Sequence, residues 1–435
     1  MSRVPLTLIV IALSACASPS ATEPPPDEPP DVALPWRAST DYADALVRAD
    51  SAIESARRRA DAQPTSWLPM ESLAWAYADR GRLTGDLEDY ARAVETLDEA
   101  FTRAPEGGGP HLSRASLAFT VHRLDAMEPA LARAEGGAIA GLVPQAEIEG
   151  LRGDLALHRL RIDAAATHYD ASETLEPNMP AAFRLAMHEW HRGRFDAADA
   201  RIVESLERLG TAPRTQAFLH LQRGIFDLSR GRYDDALAHY HDADAAFGGW
   251  WLIHEHIAEI HALRGDDAIA LAAYRDVVAR TQSPELMGAL AGVLEERGEA
   301  DEAMELTARA EAIYEAQLEL LPEAAYGHAL DHFLGTYQAE RALTLSRANF
   351  ALRPNGESHV ALARALALVG DEAEALDVIE VALASPYRSS ELHATASVLY
   401  ARGGDADAAS EQRALAESIQ PDVFEQVQWW SGALP

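Results

Sequence analysis

Gly193-Arg194-Phe195-Asp196-Ala197-Ala198 and Gly231-Arg232-Tyr233-Asp234-Asp235-Ala236 share one template: a glycine, an aromatic two positions on, and an alanine three after that. The glycine and alanine recur without the aromatic at Gly265 and Ala270, Gly298 and Ala303, Gly370 and Ala375, and Gly404 and Ala409. From 270 to 303, 342 to 375 and 375 to 409 the alanines are 33 or 34 residues apart, and Pro105, Pro177, Pro354 and Pro421 lie twelve residues after Ala93, Ala165, Ala342 and Ala409. Each position has a physical role. Glycine ends a helix in the left-handed region, the aromatic fills the space beside the next helix, alanine lets the two helices approach, and proline stops the second. From residue 41 onward helical periodicity dominates and no alternating run of β-branched residues occurs, so the chain reads as all-α.

This period resembles the tetratricopeptide repeat (TPR), a helix-turn-helix unit of about 34 residues. Leu185 and Leu362 on first helices, and Tyr169, Tyr240 and Tyr274 on second helices, agree with it. The resemblance covers residues 64–421 in roughly nine units and implies a TPR-type helical-hairpin solenoid wound as a right-handed superhelix. There are two departures: an insertion at Gly81-Arg82-Leu83-Thr84-Gly85-Asp86, and a degenerate unit over 106–143 broken by Gly107-Gly108-Gly109 and Gly136-Gly137. Residues 41–63 read as an N-terminal capping helix and 422–435 as a C-terminal cap and tail.

The first forty residues differ in kind. Arg3 precedes an apolar run from Val4 to Leu13, and Leu13-Ser14-Ala15-Cys16 follows. A run of about ten apolar residues is too short to span a bilayer as a permanent helix. The four residues resemble the lipobox of bacterial lipoproteins, which implies a cleaved signal over 1–15 and acylation of Cys16, the chain's single cysteine. Ala17 stands where that family's inner-membrane retention signal has Asp, so the resemblance implies an outer-membrane lipid anchor facing the periplasm. Residues 16–40, with Pro24-Pro25-Pro26 and Pro29-Pro30, form a proline-rich tether that favours extended backbone.

Composition excludes several functions. The 435 residues carry 69 Asp and Glu against 37 basic residues, every one of them Arg, for a net charge of −32. Such a balance disfavours nucleic acid and anionic lipid surfaces as partners. Without Lys there is no Walker A loop, no kinase strand lysine and no Schiff base. The carboxylate-clamp mode of some TPR proteins, which uses lysines, is excluded for the same reason.

Histidine is the residue that raises chemistry. His328 and His332, four apart on one helix face with Asp331 between them, have spacing suited to zinc or copper. The run His254-Glu255-His256-Ile257-Ala258-Glu259-Ile260-His261 matches neither HExxH nor HxxEH, and His188 with His191 is a weaker pair. His220, His254, His359 and His393 fall at one register position of the first helix, where a packed ring bonded through one nitrogen is expected. Asp234-Asp235, Asp266-Asp267 and Glu295-Glu296 sit at turns or in first helical turns, where the helix dipole favours them. Arg57-Arg58-Arg59 reads as a solvated face, and Trp250-Trp251 and Trp429-Trp430 as buried caps.

No catalytic constellation emerges, so the expectation is a non-enzymatic, membrane-anchored scaffold that holds a protein or peptide partner in its groove. The rival reading is a periplasmic metal-handling protein using His328, Asp331 and His332; an enzyme built on the scaffold ranks last.

Overall fold

A computed structural model describes residues 41–136, 141–208 and 212–426. The signal-like stretch, Cys16, the proline-rich segment and Trp429-Trp430 lie outside them. Among the described residues every regular element is a helix. After α1 (Asp41–Ala62) come ten hairpins. The first five pair α2 (Leu68–Thr84) with α3 (Leu87–Arg103), α4 (His111–Thr120) with α5 (Leu124–Glu135), α6 (Leu142–His158) with α7 (Ile162–Leu175), α8 (Met179–His191) with α9 (Phe195–Arg208), and α10 (Pro213–Leu228) with α11 (Tyr233–Ala246). The second five pair α12 (Trp251–Arg264) with α13 (Asp267–Thr281), α14 (Pro284–Glu296) with α15 (Ala300–Leu320), α16 (Pro322–Gly335) with α17 (Ala339–Leu352), α18 (Gly356–Leu368) with α19 (Glu372–Ala384), and α20 (Ser390–Arg402) with α21 (Ala406–Ile419). The short α22 (Val423–Gln426) closes the described chain. No described helix is long and apolar enough to cross a membrane.

The hairpins form where the template places them. Ala93, Ala165, Ala198, Ala236, Ala270, Ala303, Ala342 and Ala375 are 0% exposed and Ala409 is 8% exposed, as residues at a close helix crossing must be. Tyr169, Tyr240 and Tyr274 are buried beside them. Room for two of these rings comes from glycines on the paired first helices: a Cβ at Gly153 would lie 2.3 Å from the Tyr169 ring, and one at Gly224 would lie 2.2 Å from Tyr240. Side chains of Asp86, Asn178, Asn355, Asp371, Ser389 and Asp405 accept backbone amides at helix starts.

Ten hairpins form where about nine units were expected. In the degenerate unit α5 buries Met127 where the template has alanine. Its turn also lacks the glycine: His122, and likewise Leu160 and Tyr337 in two other hairpins, adopt φ of 59°, 57° and 58°. The insertion at 81–86 proves to be a longer α2, ended by left-handed Gly85 at φ 76°. At the N-terminus, α1 buries Ile53, Ala56 and Ala60 against Met70 and Leu73 of α2.

The array does not run on as an open ribbon. Four successive hairpin turns of the first half dock on connections of the second half. Arg123 pairs with Glu323 at 3.2 Å. The Asn355 side-chain amide donates to His158 Nδ1 at 3.4 Å across 197 residues. The Arg388 amide donates to the His191 carbonyl at 2.9 Å. Tyr233 donates its hydroxyl proton to the Asp422 carboxylate across 189 residues. These separations amount to about six 34-residue units, so the array comes back on itself after that many hairpins. Nearer the N-terminus, Trp250 and Trp251 both donate indole N–H to the Leu83 carbonyl, at 3.2 and 3.1 Å.

Candidate functional site

The docked halves enclose a cavity of about 320 Å³. On one side it is lined by residues of first helices, including Phe119, Leu157, His158, Phe183, Met187 and His191; on the other by α16 to α18 and their connections, including His328, Asp331, Arg353, Asn355, Glu357 and Val360. Its walls are mainly apolar, with a few convergent polar groups.

Arg353 stands directly after α17, next to Pro354, and lines the cavity. Its Nε donates to Asn349 Oδ1 at 2.7 Å. Among the described residues no carboxylate forms an ion pair with it. Burial in protein pushes its guanidinium down to about 10, against the weaker opposing pull of Glu357 and Asp331. Nη2 lies against α16 where Gly327 offers no side chain: a Cβ there would be 2.8 Å away. Burial, reinforced by Arg353, also lowers His158 to about 3 and holds His122 well below its ordinary value. Both rings are therefore neutral near pH 7.

Glu357 is engaged otherwise. Burial alone would raise its carboxyl, but His191 Nδ1 at 3.1 Å holds it at about 2. Its side chain keeps 40% of its surface exposed although the group lies deep in the molecule. The exposed part faces the cavity.

A second charged group sits in the α6–α8 wall. Arg184 donates through Nε to Asp154 at 2.9 Å and through both Nη atoms to Glu147 at 3.2 Å, while Tyr169 donates to Asp154 at 3.0 Å. Burial still raises Asp154 to about 6 against the Arg184 charge. This cation is saturated by its neighbours; Arg353 is not.

The histidines singled out for metal lie as follows. His328 turns Nδ1 toward Glu285 at 3.4 Å, and Asp331 lines the cavity. His332 packs between Tyr314 and Phe333, with ring centroids 5.1 and 5.2 Å away, and its Nε2 is 4.0 Å from Glu311. The two rings thus address different carboxylates. His188 bonds the Ile162 carbonyl while His191 takes Glu357, so these diverge as well. Two other groups among the described residues bring three ligand atoms within 4.8 Å: His220, His239 and Asp242, and the buried Glu255, His256 and Glu259. In the latter, His256 Nδ1 is 3.1 Å from Glu259 and 3.5 Å from Glu255. Burial raises Glu255 to about 8, so it holds its proton beside a Glu259–His256 pair.

Of the four histidines in register, two bond through one nitrogen as expected, His359 to the Asn355 carbonyl and His393 to Gln412, while His254 bonds through both, Nε2 to Asp244 and Nδ1 to Arg280. His220 comes only to 3.9 Å of Asp242. Arg58 and Arg59 meet residues of their own helix, Glu54 and Ser55, and Arg57 reaches Tyr77. Sequence reasoning missed Arg353, Gly327, His158 and Glu357 as a group. Their only local signal is the proline turn, and what unites them is contact across about six units.

No protein-family model matches the chain, and no curated protein matches it. Solved structures do. A tetratricopeptide repeat protein from Parabacteroides merdae is 14% identical over 57% of this chain and 96% of its own, with a TM-score of 0.35. Yeast Tom70 is 12% identical over 89% and 92%, with a TM-score of 0.42. The human IFIT1 dimer with m7Gppp-AAAA is 12% identical over 88% and 96%, with a TM-score of 0.41. The TPR-type solenoid itself is read from the ten hairpins, their buried alanines and their left-handed turns.

Proposed function

We propose that this protein is a non-enzymatic scaffold of the bacterial cell envelope, held to the outer membrane by acylated Cys16 and presenting its hairpin array to a protein or peptide partner in the periplasm. What supports the reading is the architecture: ten stacked hairpins in which, the docked turns apart, each unit packs mainly on its neighbours, so long faces remain without cover from the other described residues. Fold alone does not assign a role. The Leu13-Ser14-Ala15-Cys16 motif supports the anchor. The partner is expected on the exposed faces, since part of the inner edge is occupied by the chain's own turns.

The test is purification from solubilised membranes through a C-terminal tag, comparing wild type with Cys16→Ala after labelling with radioactive palmitate. A stoichiometric protein partner, with palmitate incorporation lost in the variant, supports the scaffold and its anchor. Recovery of the labelled protein with no partner overturns the scaffold reading, and an unlabelled wild type overturns the anchor. The metal-handling alternative predicts instead about one equivalent of zinc or copper that His328→Ala removes.

A further inference from the structure

Among the polar groups lining the cavity, Arg353 stands apart in its partners. In a chain of net charge −32, nearly every buried or half-buried arginine has a carboxylate at hand: Arg80 has Asp50 and Asp89, Arg184 has Asp154 and Glu147, Arg223 has Asp199. Among the described residues, the side chain of Arg353 has only the Asn349 side-chain oxygen, on Nε. Its terminal nitrogens are left for another acceptor, and Gly327 gives them clearance along α16. Glu357, whose charge also acts on Arg353, lies 3.1 Å from His191 Nδ1.

Other charged or titratable groups surround this position from each packed element: His328 and Asp331 on α16, Glu357 on α18, His122 in the α4–α5 turn and His158 at the end of α6. Both His122 and His158 are neutral, so they add no competing charge and can bond an incoming anion. Because His158 Nδ1 receives the Asn355 amide, its proton sits on Nε2, which makes that atom a donor. Unpaired cations inside proteins are costly, and a guanidinium with its terminal nitrogens open matches the two oxygens of a carboxylate.

Size and wall chemistry narrow the ligand. A cavity of about 320 Å³ is at the small end of small-molecule pockets. It is larger than an inorganic oxyanion needs, and much of the rest of the lining is apolar, including Phe119, Leu157, Phe183, Met187, Leu334 and Val360. One guanidinium offers its terminal nitrogens, and the carboxylates of Asp331 and Glu357 nearby disfavour a ligand with more than one negative charge. We propose that this cavity is a binding site for a small monocarboxylate with an apolar body, its carboxylate received by the terminal nitrogens of Arg353. The site is separate from the exposed faces assigned to the partner and stands whether or not that partner exists.

Isothermal titration calorimetry on the full chain tests it with three probes: 4-phenylbutyrate, its uncharged analogue 4-phenylbutyramide, and inorganic phosphate. The carboxylate is expected to bind at one per chain, and the amide and phosphate at least tenfold more weakly. Arg353→Gln is expected to weaken 4-phenylbutyrate by about 10- to 100-fold, the range of one charged hydrogen-bonded contact. Should Arg353→Gln fail to fold by circular dichroism, Gly327→Ala gives the same decision, because it keeps the charge but displaces Nη2 and must also weaken binding. Equal binding of the amide, phosphate binding as tightly as the carboxylate, unchanged affinity in a folded variant, or no binding of the carboxylate at millimolar concentration each overturns the proposal.

Discussion

The backbone amide of Arg388 donates to the backbone carbonyl of His191 at 2.9 Å, joining the turn after α8 to the connection between α19 and α20. No side chain identity is needed for that bond, yet it fits only because the α8 turn carries Gly193 at φ 70°, where a Cβ would come within 3.0 Å of the Arg388 Cβ. The same His191 sets its ring Nδ1 3.1 Å from Glu357, so one residue ties the docked halves by backbone and by side chain.

Replacing Gly193 with valine combines left-handed strain with a clash at the seam, and a loss of about 1–2 kcal/mol is expected from the backbone alone. The seam should loosen before the hairpins do. Hydrogen exchange is expected to rise at 385–389 and 420–426 while the buried cores of α8 and α18 stay protected. Uniform exchange across the chain would show that the docking is not a separate structural unit.

Arg184→Met removes the only cation between Asp154 and Glu147 and leaves a buried carboxyl without its partner. A loss of about 3 kcal/mol is expected, read as a fall in the urea midpoint. The Asp154→Asn change in the same background should recover part of it by removing the orphaned charge. A midpoint unchanged in Arg184→Met would mean that this network contributes no net stability.

Acid should open the molecule through the cavity. Folded His158 takes its proton only near pH 3, whereas the unfolded chain takes it near 6.5, so between those values the unfolded state binds more protons and stability falls as pH falls. Glu357 acts in the same direction at lower pH: folded it holds its charge down to about 2, unfolded only to about 4.5. The melting temperature is therefore expected to drop steadily below about pH 6, and His158→Gln should flatten the upper part of that decline. An equally steep profile in the variant would remove His158 as the cause.

Glu255 predicts the opposite slope. Folded, it keeps its proton to about pH 8, and unfolded it releases it near 4.5, so its contribution to stability is full at low pH and is lost as pH rises through that window. Glu255→Gln, which copies the neutral acid, should melt higher than wild type by a margin that grows from pH 5 to pH 8. A margin that shrinks with pH would mean the carboxylate is charged and paired in the folded protein.

What the sequence by itself determined is periodic and local. The buried alanines, the tyrosines seated over Gly153 and Gly224, the left-handed glycines and the proline stops all follow from rules linking residues within one unit of about 34, and the hairpins stand where those rules put them. The degenerate unit departs from them locally as well, since Met127 and His122 replace the template's alanine and glycine in a hairpin that forms regardless. What only the tertiary structure decided is the seam and the cavity behind it. The small rotation between neighbouring units accumulates over about six of them before turn meets turn, and no pattern in the chain marks Asn355 for His158, Glu357 for His191, or Arg353 for the space beside Gly327.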